Sequence, residues 1–190
     1  MKVGVLGLQG DVREHVAAVE RLGAAPVVVK RPAEIDDVSG MIIPGGESTT
    51  IGKLLQRFGL LEPLTARARA GMPLYGTCAG MILMAARITG DHPAPHRLGV
   101  LDVTVRRNAY GRQSDSFETE LHLKGDDVPL PATFIRAPVV EEVGPGVEVL
   151  AEHDGLPVLV REGRFLASSF HPEMNADDRV HELFLASLEE

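Results

Sequence analysis

The chain has 190 residues, of which 44% are hydrophobic and 24% are charged, and a chain of this length can bury the core of one domain. Its one cysteine, Cys78, excludes an internal disulfide and the paired cysteines of structural zinc sites, which favours a reducing, cytoplasmic setting. The net charge of −8, with two Tyr, six Phe and no Trp, argues against nucleic acid as a partner, because phosphate binding requires a basic surface.

Membrane insertion and secretion are not expected. The longest uncharged stretch, residues 71–86, contains a proline and three glycines and is shorter than the ~20 apolar residues of a membrane helix. The apolar run at the start of the chain is too short for a signal peptide, whose apolar region has ~7–15 residues. We therefore expect a cytoplasmic protein without a membrane partner.

The first half of the chain predicts a parallel sheet flanked by helices. Apolar runs typical of buried strands alternate with segments of helical periodicity, which is the pattern of βαβ units. The predicted strands are residues 2–8, 25–29, 41–43 and 72–75, and the predicted helices are residues 11–22, 49–58 and 62–70. In such sheets, ligands bind at the carboxyl ends of the strands.

The second half of the chain has a different pattern. Short, often alternating runs separated by Gly, Pro and Asp suit antiparallel strands, at residues 99–106, 116–123, 133–140, 147–153, 157–161 and 164–170. A final helix is predicted at residues 177–188, where apolar side chains form one stripe. Because no linker, repeat or low-complexity tract interrupts the chain, we expect one domain over residues 1–190, with a mixed sheet that is antiparallel in its second half.

Cys78 lies in a motif typical of a catalytic nucleophile. It stands between Gly76 and Gly80, after a predicted strand and before an apolar helix, which is the layout of a nucleophile elbow. The glycines allow a sharp turn, and the N-terminus of a helix favours a thiolate over a thiol. A lone cysteine is more often an inert core residue, but the two glycines favour the catalytic interpretation.

His171 is the candidate base for this nucleophile. It follows a predicted strand, and Glu173 lies two residues further on, so one imidazole nitrogen can bind the carboxylate while the other faces the cysteine. His-Pro-Glu alone is more often a plain turn, but together with the elbow it predicts a Cys78–His171–Glu173 triad. The other six histidines lie inside predicted helices, in a proline-rich stretch or at strand ends without an acid–base partner nearby: His15 and His181, His92 and His96, and His122 and His153.

The segment PGGES, residues 44–48, follows a predicted strand and leads into a predicted helix. Its free backbone N–H groups suit a phosphate or the oxyanion of a reacting carbonyl. The sequence matches neither the Walker A pattern nor the dinucleotide fingerprint, since Gly4, Gly7 and Gly10 are evenly spaced. An oxyanion and substrate loop is therefore favoured, with an ordinary Ser/Thr helix cap as the alternative.

These three motifs together resemble the class I glutamine amidotransferases, and among them the family of glutaminase subunits of pyridoxal 5′-phosphate synthase. Further matches to that family are GLQG at residues 7–10, RNAYGRQ at 107–113, SFE at 116–118 and FIRAP at 134–138. The resemblance spans nearly the whole chain. It implies a three-layer, flavodoxin-like α/β fold with a central mixed sheet that is mostly parallel in its N-terminal half.

The resemblance also implies the roles of the site residues. Cys78 would attack the side-chain amide of L-glutamine, giving a glutamyl thioester and ammonia, while His171 moves the proton and Glu173 orients the imidazole. A free α-carboxylate calls for a guanidinium, and the choice of Arg107 over the adjacent Arg106 rests on the motif. The oxyanion hole would be the backbone N–H groups of Gly46 and Ala79. The amino-acid end of glutamine would lie against Gly46, Glu47, Ser48, Arg107, Ile135 and Arg136, with no metal and no cofactor.

The family passes ammonia through a tunnel to a (β/α)8-barrel synthase subunit, so the resemblance implies a hetero-oligomer in which this barrel is the partner. Gln9, after the first predicted strand, is a candidate partner contact.

Two alternatives to this function remain open. One is another cysteine hydrolase of the same fold, such as a γ-glutamyl peptidase or a DJ-1-like protein, against which the loop at residues 44–48 and the arginine matches speak. The other is a catalytically silent binding module.

Overall fold

The computed structural model describes residues 1–90, 96–107 and 116–189 of the chain. The strands, in chain order, are β1 (Lys2–Leu6), β2 (Ala25–Val29), β3 (Gly40–Ile43), β4 (Leu74–Thr77), β5 (Ala85–Thr89), β6 (Leu101–Arg106), β7 (Ser116–Leu121), β8 (Leu130–Ile135), β9 (Val139–Val143), β10 (Glu148–His153), β11 (Leu156–Glu162) and β12 (Phe165–Ser168). The α-helices are α1 (Val12–Arg21), α2 (Ser48–Arg57), α3 (Leu61–Arg69), α4 (Ala79–Met84) and α5 (Arg179–Ala186), and 3₁₀ helices cover Pro32–Asp37 and Pro172–Met174.

Within the described part of the chain, seven strands form the central sheet, in the order β10-β11-β12-β4-β3-β1-β2. The five strands from β12 to β2 are parallel, and β11 and β10 extend the sheet with antiparallel pairing. The central sheet is therefore mixed and mostly parallel, which confirms the predicted fold class.

Alternating apolar side chains divide the interior into two cores, one on each face of the sheet. In β3, Met41 and Ile43 belong to one core and Ile42 to the other, and in β4 Leu74 and Tyr75 divide in the same way. The first core includes side chains of α2, α3 and α4, and the second includes side chains of α1, α5 and the β7–β8 hairpin. Because both faces of the inner strands need a cover, the period-two alternation leads to a three-layer fold.

Most strand pairs in the second half of the chain are antiparallel, as predicted, but these strands are divided among several sheets and two of their pairings are parallel. Among the described residues, β5, β6 and β9 form a separate three-stranded sheet, and β7 and β8 form a separate hairpin. In the central sheet, β12 pairs in parallel with β4, with Ser168 opposite Thr77. Local alternation predicts a strand but not its partner, because pairing depends on residues that are far apart in the chain.

Several predicted element boundaries also differ from the structure. The segment 133–140 is two strands, β8 and β9, because Arg136 between them adopts a φ of +46°, which a continuous strand does not allow. The first strand ends at Leu6, before the chain turns toward α1, and the sequence patterns do not predict β5 or the 3₁₀ helix at Pro32–Asp37. No helix in the described parts of the chain is long and apolar enough to cross a membrane.

Four neighbouring parallel strands carry the predicted motifs. Because β1, β3, β4 and β12 run in the same direction, their carboxyl ends lie along one edge of the central sheet. The segments that leave this edge are residues 7–11, residues 44–47, Cys78 and residues 169–173. The topology thus brings together motifs that are widely separated in sequence.

Candidate active site

Cys78 is held in a strained turn between β4 and α4. Its backbone has a φ of +48° and a ψ of −98°, which a non-glycine residue rarely adopts and which is typical of a constrained functional site. The backbone N–H donates to the carbonyl of Ser168 in β12 (2.8 Å), and this bond fixes the elbow to the neighbouring strand. A Cβ on Gly76 would lie 2.6 Å from the backbone of Gly80, so the tight turn requires glycine at that position.

His171 and Glu173 leave the adjacent strand on the 3₁₀ helix Pro172–Met174. The Nδ1 atom of His171 lies 2.8 Å from Oε1 of Glu173, and both side chains are buried. The backbone N–H of His171 donates to the carbonyl of Thr133 (2.9 Å). A second carboxylate, that of Asp11, lies 3.3 Å from the same Nδ1. The predicted pairing of His171 with Glu173 is therefore present, and Asp11 joins it.

The electrostatics of this group favour a proton on His171. Burial lowers the pKa of His171, but hydrogen bonds to Asp11, Cys78 and Glu173 outweigh it and raise the pKa to about 12. Burial raises the pKa of Glu173, and the contact with His171 opposes that rise. The imidazole is thus a strong proton acceptor beside the thiol, which is what nucleophilic catalysis by a cysteine needs.

The loop after β3 forms a second wall of the site. A Cβ on Gly45 would overlap the ring of His171, so glycine lets this loop approach the base closely. Glu47 is the N-cap of α2, and its carboxylate accepts hydrogen bonds from the backbone N–H groups of Thr49 (2.9 Å) and Thr50 (2.7 Å). The helix cap is therefore Glu47, and the predicted alternative of a Ser/Thr cap is wrong.

The two adjacent arginines point to different partners. Arg107 is mostly buried, and its Nη2 donates to Oγ1 of Thr49 (3.1 Å) and lies 3.3 Å from Oε1 of Glu47. Arg106 is half exposed and pairs with Glu141 (2.8 Å). Arg107 lies against the loop at residues 44–48, as expected, whereas the rest of its motif, residues 108–113, lies outside the described residues.

A cavity of about 280 Å³ lies where these loops meet. It is lined by Gln9, Asp11, Gly46, Glu47, Ser48, Cys78, Ile82, Arg107, Ile135, Arg136, His171 and Met174. Ala79, the remaining predicted oxyanion residue, is buried at the start of α4. Every predicted site residue therefore lies in or directly beside one cavity, except Glu173, which is behind His171.

The connection between β8 and β9 also lines the cavity, through Ile135 and Arg136. The Sγ atom of Cys78 donates to the backbone carbonyl of Ile135 (3.9 Å). Arg136 follows with a φ of +46°, so two of the three non-glycine residues at positive φ in the described residues line this cavity. Strain of this kind persists where surrounding structure holds it, and it is concentrated at functional sites.

The predicted partner contact, Gln9, reaches into the site. Its side-chain oxygen accepts a hydrogen bond from the backbone N–H of Glu47 (2.8 Å), and a Cβ on Gly46 would lie 2.6 Å from the same oxygen. Gln9 thus links the segment after β1 to the segment after β3, next to the backbone of Gly46.

Two carboxylates and one imidazole in the site are close enough together to hold a metal ion. Ligand atoms of Asp11, His171 and Glu173 lie within 4.8 Å of one another. Since Nδ1 of His171 already binds Glu173, a metal there would displace the contact that orients the imidazole.

Of two histidines that the sequence patterns place in helices, one contacts Glu173 and the other contacts the first. His15 of α1 has its Nε2 atom 3.5 Å from Oε1 of Glu173, and its Nδ1 atom is 2.9 Å from Nε2 of His181 in α5. Both are buried polar residues on otherwise apolar helix faces. A histidine on an otherwise apolar helix face is the signal in the sequence that could have identified these two residues, because a buried polar group requires a hydrogen-bond partner.

Sequence comparison identifies close relatives over the whole chain. The profile of the SNO glutamine amidotransferase family matches residues 5–190. A curated relative from Mycobacteroides abscessus, named "Pyridoxal 5'-phosphate synthase subunit PdxT", is 58% identical over 183 residues, which cover 96% of this chain and 95% of the relative. A relative of the same name from Geobacillus kaustophilus is 52% identical over 190 residues, which cover 100% of this chain and 96% of the relative.

Solved structures agree with this assignment. A chain described as "Crystal structure of glutamine amidotransferase" is 49% identical and superposes with a TM-score of 0.93 over 99% of both chains. A chain described as "Structure of PurLQS from Thermotoga maritima", 18% identical, shares the fold with a TM-score of 0.66 over 98% of both chains. With a family match over nearly its full length and relatives more than 50% identical, the chain belongs to the SNO glutamine amidotransferase family.

Proposed function

We propose that this chain hydrolyses L-glutamine to L-glutamate and ammonia and supplies the ammonia to a pyridoxal 5′-phosphate synthase, for vitamin B6 biosynthesis. One observation carries the proposal: Cys78 and His171 line the same cavity at the ends of adjacent strands, and Glu173 holds the far nitrogen of His171 at 2.8 Å. The family assignment and the names of the relatives support this substrate and pathway.

Cys78 is the nucleophile of the proposed reaction. His171 takes the proton of the Cys78 thiol, and the resulting thiolate sulfur attacks the side-chain carbonyl carbon of glutamine. The C–N bond then breaks to leave a glutamyl thioester. His171 gives its proton to the departing nitrogen, which leaves as ammonia. Water next attacks the thioester, His171 takes a proton from that water, and the C–S bond breaks to release glutamate and the thiolate. Glu173 keeps Nδ1 of His171 occupied, so that Nε2 faces the reacting atoms.

Two backbone N–H groups would stabilise the charge on the carbonyl oxygen during both steps. We assign this oxyanion hole to Gly46, on the loop after β3, and Ala79, the first residue of α4. The first N–H groups of a helix have no partner inside the helix and are therefore available. Each donor of this kind contributes about 3 kcal/mol to lowering the barrier.

The amino-acid end of glutamine would lie between the loop at residues 44–48 and the β8–β9 connection. Arg107 offers a guanidinium for the α-carboxylate, and Ile135 and Arg136 offer backbone groups. Burial raises the pKa of Glu47, but hydrogen bonds from Thr50 and Thr49 lower it to about 2, so the carboxylate stays charged and suits an α-ammonium group. A cavity of about 280 Å³ can hold a ligand of amino-acid size.

The assembly is part of the same proposal. Free ammonia is protonated in bulk water, so the chain would act with a (β/α)8 synthase subunit that receives it, within one cytoplasmic hetero-oligomer. Gln9 is the proposed contact to that subunit, because the segment after β1 forms part of the cavity wall and touches the backbone of Glu47. A partner bound there could change the position of Gly46 and so activate the site.

Ammonia release from L-glutamine, measured with and without a pyridoxal 5′-phosphate synthase subunit, tests this proposal. We expect slow turnover by the isolated chain, faster turnover with the synthase, and none in Cys78→Ala, whose fold and partner binding stay intact. Retained turnover in Cys78→Ala would contradict the triad, and equal turnover with and without the synthase would contradict activation.

The same preparation separates the two alternatives. Cleavage of γ-glutamyl peptides in preference to glutamine would favour a γ-glutamyl peptidase. Intact mass after incubation with a glutamine-mimicking diazoketone should show one adduct, absent from Cys78→Ala. No adduct on the wild-type chain would favour a silent binding module.

A further inference from the structure

His15 and His181 form a buried pair that the proposed reaction does not use. His15 lies on α1 and His181 on α5, both are fully buried, and neither lines the cavity. The ring of Tyr75 lies roughly perpendicular to both imidazoles, with ring centroids 6.1 Å from His15 and 5.5 Å from His181. Two imidazoles in an apolar core are costly unless their nitrogens are hydrogen-bonded, so their contacts require an explanation.

The contacts of this pair lead to the triad. Nε2 of His15 lies 3.1 Å from Oγ1 of Thr77 and 3.5 Å from Oε1 of Glu173. The Thr77 hydroxyl donates to the same Glu173 oxygen at 3.5 Å. On the other side of the ring, Nδ1 of His15 lies 2.9 Å from Nε2 of His181. A continuous chain of polar contacts thus runs from α5 through α1 to the carboxylate that holds His171.

The Glu173 carboxylate, the acceptor at the end of this series of contacts, fixes the tautomers of both imidazole rings. An ionised carboxylate only accepts hydrogen bonds, so the nitrogen of His15 that faces Glu173 and Thr77 carries the proton. Nδ1 of His15 is then an acceptor, and Nε2 of His181 is its donor. Nδ1 of His181 is left as a bare lone pair, and it has no hydrogen-bond partner among the described residues.

The opposite pair of tautomers, with the proton on Nδ1 of both rings, is disfavoured at both ends of this series of contacts. It would bury an N–H of His181 with no acceptor among the described residues, and it would place a lone pair of His15 next to the Glu173 carboxylate. Burial and the nearby His181 and His171 hold the pKa of His15 well below its usual value, and burial lowers that of His181 to about 4. Both rings are therefore neutral at pH 7 and can donate without adding charge next to His171.

We propose that His15 is a positioning residue of the triad: in the Nε2–H tautomer that His181 fixes, it donates toward Thr77 and Glu173 and so holds the carboxylate that orients His171. The inference rests on the proposed function, since it assigns a role within that reaction. Oε2 of Glu173 has no hydrogen-bond partner within 3.5 Å among the described residues, so the side-chain contacts that orient this carboxylate are those of Oε1 with His171, His15 and Thr77. Loss of the donor would let the carboxylate rotate or take up a proton, and His171 would lose its orientation.

Two conservative substitutions of His15 separate positioning from packing. The side-chain nitrogen of His15→Gln can occupy the place of Nε2, whereas that of His15→Asn can only replace Nδ1. We expect His15→Asn to lower kcat by about 10- to 100-fold with KM unchanged, because a small displacement of a catalytic group has an effect of this size. His15→Gln should keep kcat close to the wild-type value. His122→Gln, on an exposed residue away from the site, is the matched control.

A second pair of variants, at Thr77, tests the same series of contacts. Thr77→Ser keeps the hydroxyl and should retain activity, whereas Thr77→Val keeps the shape and should lower kcat. If either His15→Asn or Thr77→Val is folded and has wild-type kcat, or if His15→Gln loses as much activity as His15→Asn, the inference is overturned.

A spectroscopic measurement on the wild-type chain does not depend on folding of the variants. NMR spectra of protein with isotope-labelled histidine rings should show His15 and His181 as neutral Nε2–H tautomers at neutral pH. A neutral Nδ1–H tautomer of His15, or a charged ring, would overturn the inference.

The outcomes distinguish this inference from the proposed function. A wild-type chain that releases no ammonia from glutamine, alone or with the synthase, contradicts the function, and the NMR measurement then decides the tautomers by itself. An active wild-type chain with an inactive Cys78→Ala, but with His15→Asn equal to wild type, contradicts the inference alone.

Discussion

Polar side chains are buried in the middle of the central sheet and exposed at its antiparallel end. Behind the ends of β4 and β12, Thr77, Glu173 and His15 are buried and bound to one another. At β10 and β11, Arg161 pairs with Glu148 at 2.7 Å, but both side chains are more than a third exposed. The first group lies at the ends of parallel strands and the second on an edge that faces solvent.

The difference shows where this chain concentrates its chemistry. A buried polar group loses its hydration, so each one requires a specific partner, and its hydrogen bonds are strong in the low-dielectric interior. An exposed ion pair exchanges its partner for water at little cost. Substitutions of the same type should therefore have large effects in the buried group and small effects at the antiparallel end.

The largest difference is expected between two glutamates. Glu173→Gln replaces the acceptor of the His171 N–H by an amide, which permits the wrong tautomer and should lower kcat by roughly 10²- to 10⁴-fold. Glu182→Gln, on the exposed side of α5, should leave kcat unchanged. Steady-state ammonia release measures both. If Glu173→Gln kept wild-type kcat, the carboxylate would not be a member of the triad.

Two glycines offer the next comparison. A Cβ on Gly80 would overlap the backbone carbonyl of Ile43, so Gly80→Ala must move α4 away from β3 and displace Cys78, which should lower activity about 10²-fold. Gly155, in the β10–β11 turn, has a φ of +74° and open space around it. Gly155→Ala should strain the turn by about 1–2 kcal/mol and leave activity unchanged.

Thermal unfolding and ammonia release together distinguish these effects. Equal activity of Gly80→Ala and the wild type would show that the elbow tolerates a shift of α4. A loss of activity in Gly155→Ala would show that the antiparallel end is coupled to the site.

The last comparison concerns the pH dependence of stability rather than activity. The pKa values of His15 and His181 are lowered in the folded chain, to about 4 for His181, so below pH 6.5 the unfolded chain binds protons that the folded chain does not. The free energy of unfolding therefore falls as pH falls from 6.5 toward 4, by ~1.4 kcal/mol per pH unit for each histidine.

Urea unfolding over this range, compared with His181→Gln, isolates the contribution of the pair. The glutamine keeps a donor toward His15 but does not titrate, so the slope should decrease by ~1.4 kcal/mol per pH unit. Glu173 changes the free energy of unfolding in the opposite direction as pH falls, because burial raises its pKa in the folded chain. This contribution is present in both proteins, so it cancels when their slopes are subtracted. Equal slopes would contradict a neutral buried His181.

The motifs that line the candidate site could be predicted because each is compact in sequence. Cys78 between its two glycines and His171 two residues before Glu173 are local patterns, and the strands that precede them have clear apolar runs. A parallel sheet then places strand ends together whatever the distance along the chain. The site residues, the mixed sheet and the three layers followed from these local signals and from the resemblance to a family.

The tertiary structure decided which distant residues support those motifs. No local pattern connects His15 with His181, 166 positions apart, or tells that Asp11 joins His171. Neither does alternation within a segment show that β12 pairs in parallel with β4, or that β5, β6 and β9 leave the central sheet. The sequence by itself determined the glycine-flanked turn at Cys78, the His171–Glu173 motif and the elements that carry them, because local backbone geometry and hydrophobic periodicity are encoded within a few residues. The partners that hold them in place depend on packing between elements, and packing exists only in the folded chain.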